Sequence, residues 1–318
     1  MTPTKPGIVT VSLNSAIDQT LDCPGFTAGA VNRVASETRT AGGKAINVAA
    51  FLAGGPTPVT ATGFLGTDNV QVFEALFRER GIQDRCMRLP GSSRVNIKVV
   101  DRAGGTVTDL NLPGLSVPNG ALGMLTEKLE ALAADNGCFV LAGSLPAGVP
   151  EDTYATLTAR LRARGALVVV DTSGAPLKHA VAARPDFVKP NAHELSELLG
   201  RSLPDRDEVV RAARQLQATG ISLVVVSLGA DGAIFVGPEG ALLAVPPKVE
   251  VASTVGAGDS MVAGVLAARL AGRNLEDCAR YGTAFAAGKL VRVGPVPPSP
   301  ARVEALMPYV VIHPLASA

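Results

Sequence analysis

Short runs of Val, Ile, Leu and Ala alternate along the chain with stretches whose apolar positions recur every three or four residues. The runs at 8–13, 59–64, 138–142, 167–171, 187–189 and 223–227 are nearly all apolar, as strands buried on both faces require. Helical spacing is clearest at 44–52, 70–80, 122–134, 154–164 and 208–218. This alternation predicts an α/β fold with a mainly parallel central sheet and helices on both sides. The Pro-rich stretch 294–300 reads as a loop before one last helix, and no repeat or long linker divides the chain.

Two segments break the rhythm. Residues 31–40 and 93–112 are strand-like without intervening helices, and the second reads as a hairpin turning at Ala103–Gly105. Within it Arg94, Asn96 and Lys98 share one strand face while Val95, Ile97 and Val99 share the other. Two cations and an amide on one face suit either solvent or a phosphorylated, hydroxyl-rich ligand. These segments predict a small β-structure attached to the α/β body.

Composition narrows the classes. Of 318 residues 47% are hydrophobic, enough for a large core, and the net charge of +1 comes without any basic block. That argues against a nucleic-acid or anionic-membrane partner. No apolar run approaches the roughly 20 residues of a membrane span, and "GIVTVSL" is too short for a signal-peptide core. Four scattered cysteines without a CxxC pair are expected to be small core hydrophobes in a reducing cytoplasm.

Several familiar motifs are missing. "TAGGKA" lacks the first Gly and final hydroxyl of a P-loop, and "GAGDSM" places Met261 where a dinucleotide fingerprint needs its third Gly. His179, His193 and His313 have no metal-ligand spacing. More informative is "STVGAGDSMVAG", 253–264, where Gly256, Ala257 and Gly258 open a helix and Asp259 follows at once. Free N–H groups at a helix start suit an anion, yet a carboxylate sits among them. An N-terminal Asp is ordinarily a cap. Phosphoryl transfer offers another reason, because negative oxygens must be held while a hydroxyl loses its proton.

Further candidates sit at other strand and helix ends. Gly42 and Gly43 precede a helix carrying Lys44 and Asn47. "VKPNAHEL" ends a strand at Lys189 and opens a helix with Asn191 and Glu194, a spacing that suits a capping box or oxygen ligands for hydrated Mg²⁺. Ser227, Gly229 and Gly232 lie where a strand meets a Gly-rich turn, and Asn14 and Asp18 follow the first strand. Ligands of open α/β sheets bind at such strand ends.

Taken in order, "GGKAINVA", "GFLGTDN", "SRVNIKVVDRAGGTVTDLNL", "GSLPAGVP", "VKPN" and "STVGAGDSMV" resemble the ribokinase-like sugar kinases of the phosphofructokinase B family over nearly the whole chain. The resemblance implies one kinase domain over 1–318, a three-layer sandwich with a small β-lid at about 17–40 and 92–112, and a homodimer formed through that lid. It implies ATP and Mg²⁺ as cofactors and phosphorylation of fructose 1-phosphate at its 6-hydroxyl. Tagatose 6-phosphate or fructose 6-phosphate is the alternative substrate, and a noncatalytic sugar-phosphate sensor the alternative class.

By position the resemblance makes Asp259 the base and Gly256, Ala257 and Gly258 the anion hole. It puts Asn14, Asp18, Gly42, Gly43 and Asn47 at the sugar, and Arg94 at the substrate phosphate with Lys44 and Lys98 as helpers. Lys189, Asn191, Ser227, Gly229, Gly232 and Thr254 fall along the nucleotide, and Asn191 with Glu194 at Mg²⁺ through water. Two residues depart from the pattern. Ser15 stands where the family usually has Pro, which should loosen the turn carrying Asp18. Ala45 replaces the usual Gly, and its methyl should crowd the sugar.

Overall fold

Apolar β-branched runs become central strands here because helices cover both of their faces. The computed structural model describes residues 7–316. Along the chain the first strands are β1 (Gly7–Ser12), β2 (Ala16–Asp22), β3 (Ser36–Gly42), β4 (Val59–Gly66) and β5 (Gln83–Asp84). Next come β6 (Met87–Leu89), β7 (Arg94–Asp101), β8 (Thr106–Asn111), β9 (Asn136–Ala142) and β10 (Leu167–Asp171). The last are β11 (Phe187–Val188), β12 (Leu223–Ser227), β13 (Ala233–Gly237), β14 (Gly240–Val245) and β15 (Val311–Leu315). The helices are α1 (Lys44–Leu52), α2 (Gln71–Arg80), α3 (Ala121–Leu132), α4 (Thr153–Arg162) and α5 (Gly174–Ala182). They continue with α6 (Ala192–Leu199), α7 (Arg206–Gln217), α8 (Ala257–Leu270), α9 (Leu275–Leu290) and α10 (Pro300–Leu306).

The main sheet runs β15-β14-β13-β12-β11-β10-β9-β1-β4-β5, with β6 beside β4. It is parallel from β5 to β12 and antiparallel from β12 to β15. Alternate side chains feed two cores. Cys138 and Val140 of β9 pack with α1, α2, α8, α9 and α10, while Phe139 and Leu141 pack with α3, α4 and α7. This is the expected three-layer arrangement, and each predicted strand and helix appears within about two residues of its expected limits.

A second sheet, β3-β2-β7-β8, stands apart from the first. Its β7–β8 hairpin turns where the sequence placed it. The expectation of a strand from residue 31 needs correction, since pairing starts at Ser36 and Val31 is 94% exposed. Asp101 binds the sheet together by accepting from the backbone N–H of Gly25 at 2.8 Å and of Ala103 and Gly104 at 3.0 Å.

Chain order reverses between β1 and β9, because β4 lies on one side of β1 and β9 on the other. Such a switch point opens a crevice at the carboxyl ends of the strands. Helix α8 enters that region, held tightly against α9 through two glycines. A Cβ on Gly264 would stand 2.7 Å from Phe285 Cβ, and one on Gly282 would stand 2.4 Å from Val265 Cγ2. Gly264→Val should therefore wedge the helices apart and cost about 1–3 kcal/mol. Thermal unfolding should show a lowered Tm, and turnover should fall with it because α8 carries the site described next.

Candidate active site

Two glycine-rich helix starts face each other at the carboxyl end of the main sheet. Gly256 caps α8 with a φ of 76°, a left-handed conformation that favours glycine. Asp259 follows in the first turn, buried with 7% of its surface exposed. Gly43 caps α1 with a φ of 98°, and one turn later Asn47 donates its Nδ2–H to Asp259 Oδ2 at 2.8 Å. The turn's amides are not all free, since Ala257 N–H closes on Thr254 O at 3.2 Å. A phosphate there would share that donor.

Beneath this contact lies a carboxylate that the sequence reading passed over. Asp171 ends β10 with its side chain fully buried, its Oδ1 2.9 Å from Lys44 Nζ and its Oδ2 3.6 Å from Lys189 Nζ. Lys189 in turn lies under the glycine turn, 3.2 Å from where a Cβ on Gly258 would be. Burial alone would raise the Asp171 carboxyl, but Lys189 and Lys44 outweigh it and hold that carboxyl below its usual range. Among the described residues Asp259 has no such pair. Burial, then the neighbouring Asp171, push it up to about 6, against the opposing hydrogen bond from Asn47 and the charges of Lys44 and Lys189. "LVVVD" carried the clue, because a carboxylate closing an apolar strand sits where these sheets bind ligands.

The second sheet presents a different cluster. Asp18 of β2 pairs in register with Asn96 of β7, whose Nδ2–H donates to Asp18 Oδ1 at 2.9 Å. The Asp18 carboxylate rests on backbone, since a Cβ on Gly42 would fall 2.2 Å from its Oδ2. Arg94 lies one alternate position along, half-buried, its Nε enclosed without a hydrogen-bond partner among the described residues. Two expected helpers are otherwise engaged: Lys98 is paired with Asp109 on the hairpin, and Lys44 with Asp171.

Asn14 lies in the crevice at the switch point, where its Nδ2–H donates to Ser144 Oγ at 3.1 Å. Ser144, just past β9, is a second residue the sequence reading left out. The Ser15 hydroxyl links its turn to Ser12 Oγ at 2.8 Å and to Phe64 O at 3.3 Å, contacts that a proline could not make. Ala45 departs from expectation, being fully buried within the α1-side core.

The nucleotide candidates divide. Asn191 and Ser227 are bridged in parallel and line an open cleft of about 910 Å³, together with Leu228, Ala230 and Asp231. Lys189, Gly232 and Thr254 do not line it. Gly232 has a packing role instead, because a Cβ there would fall 2.0 Å from Ala244 O. Gly229 begins the short turn between β12 and β13 with a φ of 64°. Asn191 and Glu194 form a reciprocal capping box, with Asn191 N–H to Glu194 Oε2 at 2.7 Å and Glu194 N–H to Asn191 Oδ1 at 2.8 Å. His193 is exposed beside Glu197, as decoration on a helix surface would be.

Residues 8–302 match the pattern of the pfkB family carbohydrate kinases. The chain belongs to that family. It is 49% identical to a 1-phosphofructokinase of Rhodobacter capsulatus over 97% of this chain and 98% of that one. It is also 49% identical to a 1-phosphofructokinase of Xanthomonas campestris over 89% of this chain and 90% of its relative. Escherichia coli phosphofructokinase-2, solved in complex with fructose 6-phosphate, superposes with a TM-score of 0.87 at 28% identity, covering 96% of this chain and 99% of that one.

A carbohydrate kinase uses ATP and must strip a proton from a sugar hydroxyl. A carboxyl pushed up to about 6 is a better proton acceptor than an exposed one, and it is still largely ionised at neutral pH. Activity should therefore fall as pH drops through about 6, when Asp259 gains its proton. The second-site variants should move that acid limb of kcat/KM in opposite directions. Asn47→Ala removes a hydrogen bond that favours the charged form, so the limb should rise. Asp171→Asn removes a like charge, so it should descend. A pH–rate series on the three proteins checks both signs.

Proposed function

We propose that this chain transfers the γ-phosphoryl group of ATP to the 6-hydroxyl of fructose 1-phosphate, releasing fructose 1,6-bisphosphate and ADP. The observation that carries the reading is Arg94, a half-buried guanidinium whose Nε has no hydrogen-bond partner among the described residues, beside the Asp18–Asn96 rung. Burial works against the Arg94 charge and the nearby Asp18 carboxylate offsets this only in part, whereas a ligand phosphate matches the guanidinium fork. The two relatives at 49% identity support the same substrate.

In this mechanism Asn14, Asp18 and Asn47 bind sugar hydroxyls and Arg94 binds the 1-phosphate. Asp259 takes the proton from the 6-hydroxyl as its oxygen attacks phosphorus in line. The amides of Gly256–Gly258 receive the phosphoryl oxygens, with Lys44 and Lys189 balancing the buried carboxylates beneath. The cleft at Asn191 and Ser227 holds the nucleotide. Mg²⁺ fits the donor set through water only: capping occupies Asn191 Oδ1 and Glu194 Oε2, which leaves Glu194 Oε1. Among the described residues no three His, Cys, Asp or Glu side chains cluster as a direct metal cage. When bound, the ion neutralises phosphate charge.

We further read residues 1–318 as one kinase unit with the second sheet as its lid. Val107 and Leu110 are half exposed on opposite faces of β8, the outermost strand of that sheet, and apolar surface along a free sheet edge suits pairing with the lid of a second copy. Four free cysteines suit the cytoplasm. Fructose 6-phosphate is the alternative substrate, favoured by the ligand of the E. coli relative. Turnover with fructose 1-phosphate, fructose 6-phosphate and tagatose 6-phosphate decides between them, and absence of turnover with all three would leave a sensor.

Three variants test the assignments. Asp259→Asn should lower kcat by about 10²-fold or more while ATP binding changes little. Arg94→Ala should cost roughly 10- to 150-fold in kcat/KM for fructose 1-phosphate, with KM for ATP nearly unchanged and much smaller losses on unphosphorylated fructose. Equal losses on both sugars would remove the phosphate role. Replacing 93–112 with a short Gly-Ser loop should raise the ratio of ATP hydrolysis to sugar phosphorylation, because a lid excludes water. A fixed ratio with persisting turnover would mean that these strands do not close the site.

A further inference from the structure

One buried charge has no part in the mechanism above. Lys289, in the last turn of α9, has 0% of its surface exposed. Among the described residues it forms no salt bridge, and its Nζ donates to one oxygen, the carbonyl of Arg292 at 3.1 Å. Burial pushes its pKa down from the ordinary lysine value, and the carboxylate that works against this is Asp259. A lysine that merely caps a helix can reach water at little cost. Here the ammonium is enclosed, in a place where methionine would pack without any charge to desolvate.

Its surroundings say what the charge does. The chain turns back after α9, with Arg292 N–H donating to Lys289 O at 2.9 Å, so the ammonium sits inside a turn made by its own next three residues. Leu290 O, in that turn, accepts from both Ala252 N–H at 2.8 Å and Ser253 N–H at 3.1 Å. Those two residues lead directly into the glycine turn at Gly256–Gly258. The carbonyl end of a 16-residue helix, negative by its dipole, is therefore both neutralised by Lys289 and bonded to the strand of chain that shapes the anion turn.

We propose that Lys289 is a positioning residue, a tethered internal cation that holds the 252–258 turn in its phosphoryl-receiving form and makes a dissolved monovalent cation unnecessary there. This rests on the reading of Asp259 and the glycine turn as the reaction centre. Asp259→Asn tests that reading separately, whatever Lys289 does.

The experiment is steady-state kinetics on the full chain with fructose 1-phosphate and Mg-ATP, at constant ionic strength made up with tetramethylammonium chloride. Wild-type kcat should be the same with or without potassium or ammonium chloride. Lys289→Met should lower kcat by about 10-fold or more while KM for the sugar phosphate stays within about twofold. Added potassium or ammonium should restore part of that loss, because a small cation can enter the vacated position. A structural cap would behave otherwise: kcat and Tm would fall together and no cation would restore either, which overturns the proposal. So would an undiminished kcat in Lys289→Met. If that variant does not fold, the wild-type series still decides, since activation of the wild type by potassium would show that the cation position is not filled by Lys289.

Discussion

Two carboxylates buried close together at one end of the sheet set the terms for everything around them. In a low dielectric their repulsion is strong, and each also loses its hydration. The chain settles this unequally. Asp171 takes both Lys44 and Lys189, while among the described residues Asp259 receives the neutral amide of Asn47 and no salt bridge. The unequal division leaves one permanently charged anchor and one carboxylate able to accept a proton near neutral pH. Breaking such a buried pair typically costs about 3–5 kcal/mol, so the strands bearing Asp171 and Lys189 cannot drift without a large penalty. Their position in the middle of the parallel sheet, between β9 and β12, is the most constrained place the fold offers.

The second sheet is coupled to that centre through the chain itself. β3 ends at Gly42, Gly43 caps α1, and Lys44 and Asn47 follow within the next turn. A displacement of β3 therefore acts directly on the Lys44–Asp171 and Asn47–Asp259 contacts. Asp18 adds a second link, because its carboxylate packs on the Gly42 backbone while bonded to Asn96. On the proposed assignment, sugar contacts, phosphate contact and proton acceptor thus form one connected set. If the second sheet closes over the substrate as proposed, closure and alignment of the base become a single event, which is what a kinase needs to keep water from the phosphoryl group.

Much of this was readable before any coordinates. Parallel strands buried on both faces leave long apolar runs, and Gly-rich helix starts leave short local patterns, so β1, β4, β9, β10, β12 and the turn at Asp259 were all visible. What escaped depended on contacts distant in sequence. Asp171 and Lys44 are 127 residues apart, and Asn14 and Ser144 are 130 apart. Lys98 looked free because its partner Asp109 lies across a hairpin, and a strand pattern does not say which cross-strand pair will form. The contacts of Ser15 escaped in the same way, because Phe64, one of its two oxygen partners, lies 49 residues along the chain. The antiparallel strands β13–β15 are as long as β10 and β12, but β13 and β14 follow one another with no helix between them, so the strand–helix alternation that marked the others is absent there.

The same geometry explains why sugar identity is harder to read than reaction type. Fructofuranose carries a hydroxymethyl group on each side of its ring oxygen. Fructose 1-phosphate reacting at its 6-hydroxyl and fructose 6-phosphate reacting at its 1-hydroxyl therefore both place phosphate and nucleophile at opposite ends of a similar ring. In the proposed roles Arg94 and Asp259, one for each end, are satisfied equally by either. The two sugars differ in which end bears the anomeric hydroxyl, so discrimination falls to the groups between those ends, Asn14 with Ser144 and Asp18 with Asn96. A buried polar group left unpaired by the wrong sugar costs about 1–3 kcal/mol, which is enough for a preference when two or more such groups act together. On that assignment selectivity in this kinase is a property of the crevice at the β1–β9 switch point and the neighbouring strand face, while the phosphoryl chemistry belongs to the junction of α1 and α8.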